Sequence, residues 1–412
     1  MQNIPRALLS ANADNIDVHY QGDRSLFLNR ESLLTNNFLF SWNDVSADPV
    51  GGYGRTSTFN LMQDCDYLGR IQLLLDFAAV TSTGAGSNYP RYVDWLGYAA
   101  LDEIRVLWAN NNIQTFTGDD LMILHSINRR SDDDESEMVD GGLQALPAQR
   151  ATNAAASSHK VYVPLDCLVW GSQPGNFLPY NIEVFRDKIR IDVKLRSKYD
   201  LIETDGSSIE ASFNDIQLRV QKVHVTDVEQ ASILDTLAVG TPALRLASHG
   251  RLVTVQEHQN QETVNAVTTN QTIRLQTSRP TKEIIVYWRK TSDLPTGSIS
   301  AAIQHFNFQP IDEISITGSG RKILDTVEGK WLRKSVMNQF HTGDPSSHIY
   351  AIPHSLAPEA ANDQMGYINY GPIHRPEVTF KTDGAAAGQM SILYQTLNTF
   401  ILAEGDARML QS

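Results

Sequence analysis

Apolar and polar residues alternate strictly in KIRIDVKLR, residues 188–196. Ile189, Ile191, Val193 and Leu195 fall on one side, and Arg190, Asp192, Lys194 and Arg196 on the other. A period of two predicts a strand with one buried and one solvated face. DIQLRV repeats the phase through Ile216, Leu218 and Val220. IQLLLDFAAV and EIIVYW are continuous apolar runs, which predicts strands covered on both faces. Helical periodicity is scarce. Its best stretch is DVEQASILDTLAV, from Asp227 to Val239. Many short strands punctuated by Gly, Pro, Asn and Asp predict an all-β chain of sandwiches or barrels.

The strands occur in two similar series. DEIRVLWANNNI begins at Asp102 and DEISITGSGRKI at Asp312, an offset of 210 that Ile113 and Ile323 keep. SSHKVYVP at Ser157 is answered by SSHIYAIP at Ser346, an offset of 189. Upstream, STFNLM before IQLLL parallels QTIRLQ before IIVYW. Each match is short, but their shared order predicts two copies of one β fold. The offset falls by 21, so the first copy carries extra residues. The stretch 129–156 lacks strand periodicity and is the expected insert. Six acidic residues lie between Asp132 and Asp140 without a basic partner, so the insert is expected to be exposed. The boundary between copies is expected near 227–240.

Length and charge agree with this division. The 412 residues exceed one ordinary core and suit two domains. A formal net charge of −13 argues against direct nucleic-acid binding, which needs a basic surface. Cys65 and Cys167 sit in apolar runs and read as buried free thiols. The N-terminal MQNIPRALLSANADN is too polar for a signal peptide, and no run of about 18 apolar residues occurs. Synthesis in a cytoplasm is the expectation.

Candidate chemistry is sparse. The run Asp132, Asp133, Asp134, Glu135, Glu137 lacks the spacing and distal glutamate of a calcium loop. His341, His348, His354 and His374 lack the tight pairs or cysteine partners of a zinc site. GSGRK at Gly318 lacks phosphate-loop spacing and reads as a hairpin turn. Asn270-Gln271-Thr272 is a glycosylation sequon whose use the sequence leaves undecided. No nucleophile elbow, HExxH or CxxC occurs. No catalytic, cofactor-binding or metal-binding residue is assigned, and the sequence carries no positive sign of catalysis, although it does not show whether paired carboxylates face across a cleft.

One stretch carries a resemblance. HSLAPEAANDQMGYINYGPIHRPEVTF, from His354 to Phe380, resembles the C-terminal region of the double jelly-roll major capsid proteins of large icosahedral double-stranded DNA viruses, the nucleocytoplasmic large DNA virus type. It keeps the Ser-Leu-x-Pro-Glu start, Gln364, Gly366, Asn369 and the following strand. YVDWLGYAALDEIRVLWANNNIQTFTGD, VYVPLDCLVWGSQPGNFLPYNIEVFRDKIRIDVKLRS, VHVTDVEQASI and TIRLQTSRPTKEIIVYWRK resemble other family segments in family order. The similarity runs from about Gly54 to the C-terminus. Ala109-Asn110-Asn111-Asn112 replaces a Gly-Gly pair, and Tyr370-Gly371-Pro372-Ile373 replaces the family's SRID, which marks a divergent member.

The resemblance implies two tandem eight-stranded jelly-roll barrels with few short helices. Residues 1–226 would hold an N-terminal arm (1–45) and the first barrel; 227–412 would hold a linker helix and the second. It also implies a homotrimeric, pseudo-hexagonal capsomer that tiles an icosahedral shell. Its partners would be neighbouring capsomers and minor capsid proteins, with room for an internal membrane beneath the shell and no direct nucleic-acid contact. The location would be the virion. The alternatives are a minor or vertex-associated jelly-roll capsid protein and a β-sandwich carbohydrate-active enzyme or lectin. In the His354–Phe380 stretch, Pro358 and Gly366 are expected to set turns, and Val378 and Phe380 to enter a core.

Overall fold

The computed structural model describes residues 38–83, 90–109, 111–128, 139, 158–171, 177–181, 187–204, 206–225, 250–264, 270–300, 303–343, 347–358, 366–382, 386–403 and 406–409. Eight long strands fall in the first half: β1 (Phe38–Ser46), β2 (Thr56–Asn60), β3 (Asp64–Thr83), β4 (Leu101–Trp108), β5 (Asn111–Phe116), β6 (His159–Pro164), β7 (Ile189–Leu195) and β8 (Ser208–Val225). Eight fall in the second: β9 (Gly250–Val264), β10 (Asn270–Arg274), β11 (Pro280–Lys290), β12 (Glu313–Gly318), β13 (Arg321–Glu328), β14 (Tyr350–Pro353), β15 (Glu377–Lys381) and β16 (Gly388–Ala403).

The two halves have one topology. The first forms sheets β1-β8-β3-β6 and β2-β7-β4-β5; the second forms β9-β16-β11-β14 and β10-β15-β12-β13. Adding eight to each strand number converts one half into the other. Even the small additions correspond: Leu178–Asn181 pairs with β3, and Ile368–Asn369 with β11. Each half is a jelly roll, two four-stranded sheets face to face over a core. The sequence matches fall on equivalent strands: STFNLM and QTIRLQ on β2 and β10, IQLLL and IIVYW in β3 and β11, and the two DEI starts on β4 and β12.

Local sequence accounts for each strand. β7 buries Ile189, Ile191, Val193 and Leu195 and turns its charged residues outward. β11 is buried on both faces from Thr281 to Arg289, because the second barrel's core lies on one side and the first barrel on the other. GSGRK makes the predicted hairpin: Gly318 pairs with Arg321, and Ser319 and Gly320 take φ of 51° and 71°. Val378 and Phe380 enter the second core. Cys65 and Cys167 are buried and free; burial pushes the Cys65 thiol up to about 12.

Two expectations need correction. Phe38–Val45 were assigned to an arm, yet they pair along their length with β8, and Val45 packs on the first core. Their alternation hides this, because β1 is an edge strand whose apolar residues stay largely in solvent. Val139, the one described residue of the 129–156 insert, is fully buried, so the insert is not wholly exposed. Its contact with Gly97 and the side chain of Val163 lie in one crowded spot beside β6. The acidic run 132–137, the arm residues 1–37 and the linker helix at 227–239 lie outside the described residues. The boundary at 226/227 does too, in the undescribed stretch between Val225 and Gly250.

Candidate functional site: the seam between the barrels

One helix organises the contact between the two barrels. α1 (Gly118–Asn128) leaves the end of β5 and is buried along nearly its whole length. Its start is fixed by two local features. A Cβ on Gly118 would lie 2.0 Å from the Tyr98 carbonyl oxygen, so only glycine allows the approach. The Asp120 carboxylate accepts from the Thr117 amide (2.8 Å) and hydroxyl (3.0 Å), holding the first turn.

This start presents Asp119 and Asp120 to the second barrel. Asp119 lies between two arginines. Arg196, just past β7, reaches Oδ1 at 3.1 Å, and Arg289, near the end of β11, reaches Oδ2 at 3.0 Å. Burial alone would raise this carboxyl, but the charges of Arg289 and then Arg196 hold it well below the usual carboxylate range. His305 completes the group. Its Nε2 donates to the Asp200 carbonyl (2.6 Å), and its Nδ1 accepts from Arg196 Nη1 (3.0 Å). Both nitrogens are then used by the neutral ring. Burial, followed by the Arg196 charge, pushes its pKa down to about 4.

Further contacts cross the seam. Asp120 pairs with His258 on β9. Burial lowers the affinity of that imidazole for a proton, but the Asp120 charge overcomes it and the net shift is upward. Gln114 Nε2 on β5 donates to Gln256 Oε1 on β9 at 2.7 Å. The Ile303 amide donates to Glu203 Oε1 at 2.8 Å, and the Gly343 amide to the Ile127 carbonyl at 2.7 Å. Ile285, Tyr287, Phe308 and Leu393 of the second barrel join the apolar cluster of the first. The seam is thus a packed interface with charges satisfied in pairs, the arrangement that lets buried ions persist.

A cleft of about 690 Å³ opens beside it, lined by Asp102, Asp119, Lys194, Arg196, Asp200 and Arg289 among others. Asp119 is saturated by its arginines, and Asp102 pairs with Lys194 at 2.6 Å.

The sequence-flagged histidines do not converge. His341 Nε2 lies 2.7 Å from Glu283 Oε1, His354 Nε2 lies 2.7 Å from the Tyr370 hydroxyl, His348 stands 3.4 Å from the Tyr350 hydroxyl, and the His374 amide donates to Ser319 Oγ. Among the described residues no group of three His, Cys, Asp or Glu could hold a metal ion. Asn270 is exposed at the start of β10. Of the seam's charged residues the sequence pattern marks only Arg196, and places it on a solvated face, whereas it is largely covered against Asp119; two further signals exist. Asp119-Asp120 precedes the apolar run LMIL at the start of the helix, and Arg289 closes the stretch of its strand that is buried on both faces.

Two stacked barrels of equal topology, joined through a sealed seam, define the double jelly-roll fold. Known structures share it across nearly the whole chain. The chain is similar to the quasi-atomic model of the PBCV-1 virus capsid (TM-score 0.71, 15% identity, covering 94% of this chain and 100% of that one). It is similar to the Faustovirus major capsid protein (TM-score 0.67, 10% identity, 92% and 93%) and to the mavirus major capsid protein (TM-score 0.53, 12% identity, 96% and 94%). No family model matches the sequence, and no curated protein matches it.

Proposed function

We propose that this chain is the major capsid protein of an icosahedral double-stranded DNA virus. Three copies would form a pseudo-hexagonal capsomer, and capsomers would tile the shell of the virion. The observation that carries this reading is the duplication itself. Two barrels of one strand order, locked at a fixed seam, make half-equivalent blocks, and a ring of three such chains presents six similar barrels around one axis. The matched solved structures are capsid proteins, which supports the same reading. The protein would be made in the host cytoplasm and would meet minor capsid proteins and, in some shells, an internal membrane. It would act as a structural protein rather than an enzyme: in the cleft beside the seam Asp119 is held by Arg196 and Arg289, and Asp102 by Lys194. The test is sedimentation and electron microscopy of the purified full chain. The expected result is a trimer of 45.9 kDa subunits with a hexagonal outline. A monomer that hydrolyses or retains glycans would overturn it and favour the carbohydrate-active alternative.

A further inference from the structure

The duplication also identifies a surface that the described residues leave open. In the second barrel, the outer face of sheet β9-β16-β11-β14 is covered by the first barrel, chiefly through α1 and β5. In the first barrel, the equivalent sheet is β1-β8-β3-β6. Register fixes the correspondence. Pro353 pairs with Glu283, which pairs with Gln395, which pairs with Gln256. Pro164 pairs with Gln72, which pairs with Arg219, which pairs with Asp44. Gln256 is 9% exposed beneath Gln114, whereas the Asp44 side chain is 41% exposed. Beside Asp44, Trp42 and Phe40 are 48% and 43% exposed. Aromatic residues left in water on a sheet face mark a docking surface.

The matching cover is also present. Between β13 and β14, where α1 stands between β5 and β6, lies a second helical stretch, α2: Gly329–Trp331 and Met337–Phe340 around a π-turn at Leu332–Val336. It starts as α1 does. A Cβ on Gly329 would lie 2.0 Å from the Ile311 carbonyl oxygen. Leu121 and Leu332 follow three residues after each glycine, and both are buried. Lys330 and Trp331 therefore hold the places of Asp119 and Asp120. In α1 those places are sealed in the seam; in α2 Lys330 is exposed and Trp331 is 49% exposed.

We infer that α2 and β13 of one copy dock on the outer β1-β8-β3-β6 face of a second copy in the way α1 and β5 dock within the chain, Trp331 meeting the Ser46 end of β1 and β13 lying over Trp42 and Phe40. This rests on the trimer reading and names its contact. The contact is head to tail, since α2 and the β1 face are different surfaces, so it builds a ring. Charge keeps the two seams distinct. α1 brings Asp119 and Asp120 to Arg289 and His258, while α2 brings Lys330, with Arg333 and Lys334, to a face bearing Asp44, Asp76 and Asp215 beside Arg219 and Lys160. An α2 set into the intrachain site would place Lys330 against Arg289, so neither helix can substitute for the other.

The experiment is analytical ultracentrifugation of the full-length wild type, Trp42→Glu, Trp331→Glu and Lys330→Asp/Lys334→Asp, with melting curves as a check on folding. The wild type should be a trimer. Both tryptophan variants should sediment as monomers that still melt cooperatively, since both side chains are half exposed in the single chain. The lysine variant should dissociate at least tenfold more readily, and adding Asp44→Lys/Asp76→Lys should restore the trimer. Wild-type trimers with all three variants also trimeric would overturn this contact and leave the capsomer reading standing. A monomeric wild type would overturn the capsomer reading itself. If a tryptophan variant misfolds, the lysine pair and its rescue decide alone.

Discussion

His305→Gln should flatten one component of the acid sensitivity of the seam. In the folded chain His305 is 2% exposed, donates from Nε2 to Asp200 and accepts at Nδ1 from Arg196. A second proton at Nδ1 would face a guanidinium. The folded pKa is therefore depressed to about 4, against 6.5 for an ordinary histidine. The sign follows. Between these values the unfolded chain binds the proton and the folded chain does not, so the contribution is complete above pH 6.5 and is lost as pH falls toward 4. At 1.36 kcal/mol per pH unit the loss is about 3 kcal/mol. His354, half-buried and pushed down to about 4 by desolvation, adds a loss of the same sign. His258, raised by Asp120, acts oppositely: its contribution is present below the ordinary histidine value and fades as pH rises through the folded one. Only the difference between wild type and variant isolates His305. Glutamine can keep both hydrogen bonds and does not titrate. Urea unfolding at fixed protein concentration, at pH 7, 5.5 and 4, supplies that difference, and hydrogen exchange at the Arg196 and Arg289 backbone amides reports on the seam itself. The stability of wild type relative to His305→Gln should fall by about 3 kcal/mol from pH 7 to pH 4. Parallel pH curves for the two proteins would refute the assignment.

Other perturbations probe the same construction. Asp119→Ala should destabilise by about 3–5 kcal/mol in urea unfolding, because Arg289 and Arg196 would remain buried without their carboxylate. Replacing Asp119, Arg196 and Arg289 together by Leu, Met and Met should recover much of that loss. Gly118→Ala and Gly329→Ala should each lower stability by about 1–3 kcal/mol or more, since the new methyl meets backbone oxygen at 2.0 Å in both; melting temperatures check this. Leu73→Ala, in the first core, should cost about 2–5 kcal/mol.

The strands were legible because alternation is a local property. Ile189 to Leu195 needs no knowledge of its neighbours to declare a buried face, and the doubled DEI motif marks β4 and β12 wherever they pack. β1 was less legible. Phe38, Phe40 and Trp42 alternate correctly, but they face solvent in this chain, so the pattern names a strand without naming its cover. The seam was illegible for a related reason. Asp119 meets Arg196 and Arg289 across 77 and 170 positions, and nothing local pairs them. What local sequence does carry is the glycine that opens each helix and the charge that follows it.

That pair of signals explains how one duplicated fold can make two different contacts. If both helices had kept the acidic start of α1, α2 would be compatible with any copy's Arg289 and His258, and a neighbour's helix could compete for the intrachain seam. Both helices keep the glycine, because Gly118 and Gly329 each press on a carbonyl leading into the next strand and the barrel requires that fit. The two following positions are not bound by that fit, and in α1 both reach the other barrel, Asp119 to Arg289 and Asp120 to His258. They hold Asp119-Asp120 in one half and Lys330-Trp331 in the other. Backbone packing thus conserves the shape of the two docking elements, while the side chains beyond it differ in charge and polarity. A like-charge mismatch costs more in a buried seam than on an open face, so the discrimination is strongest where the wrong contact would be most harmful.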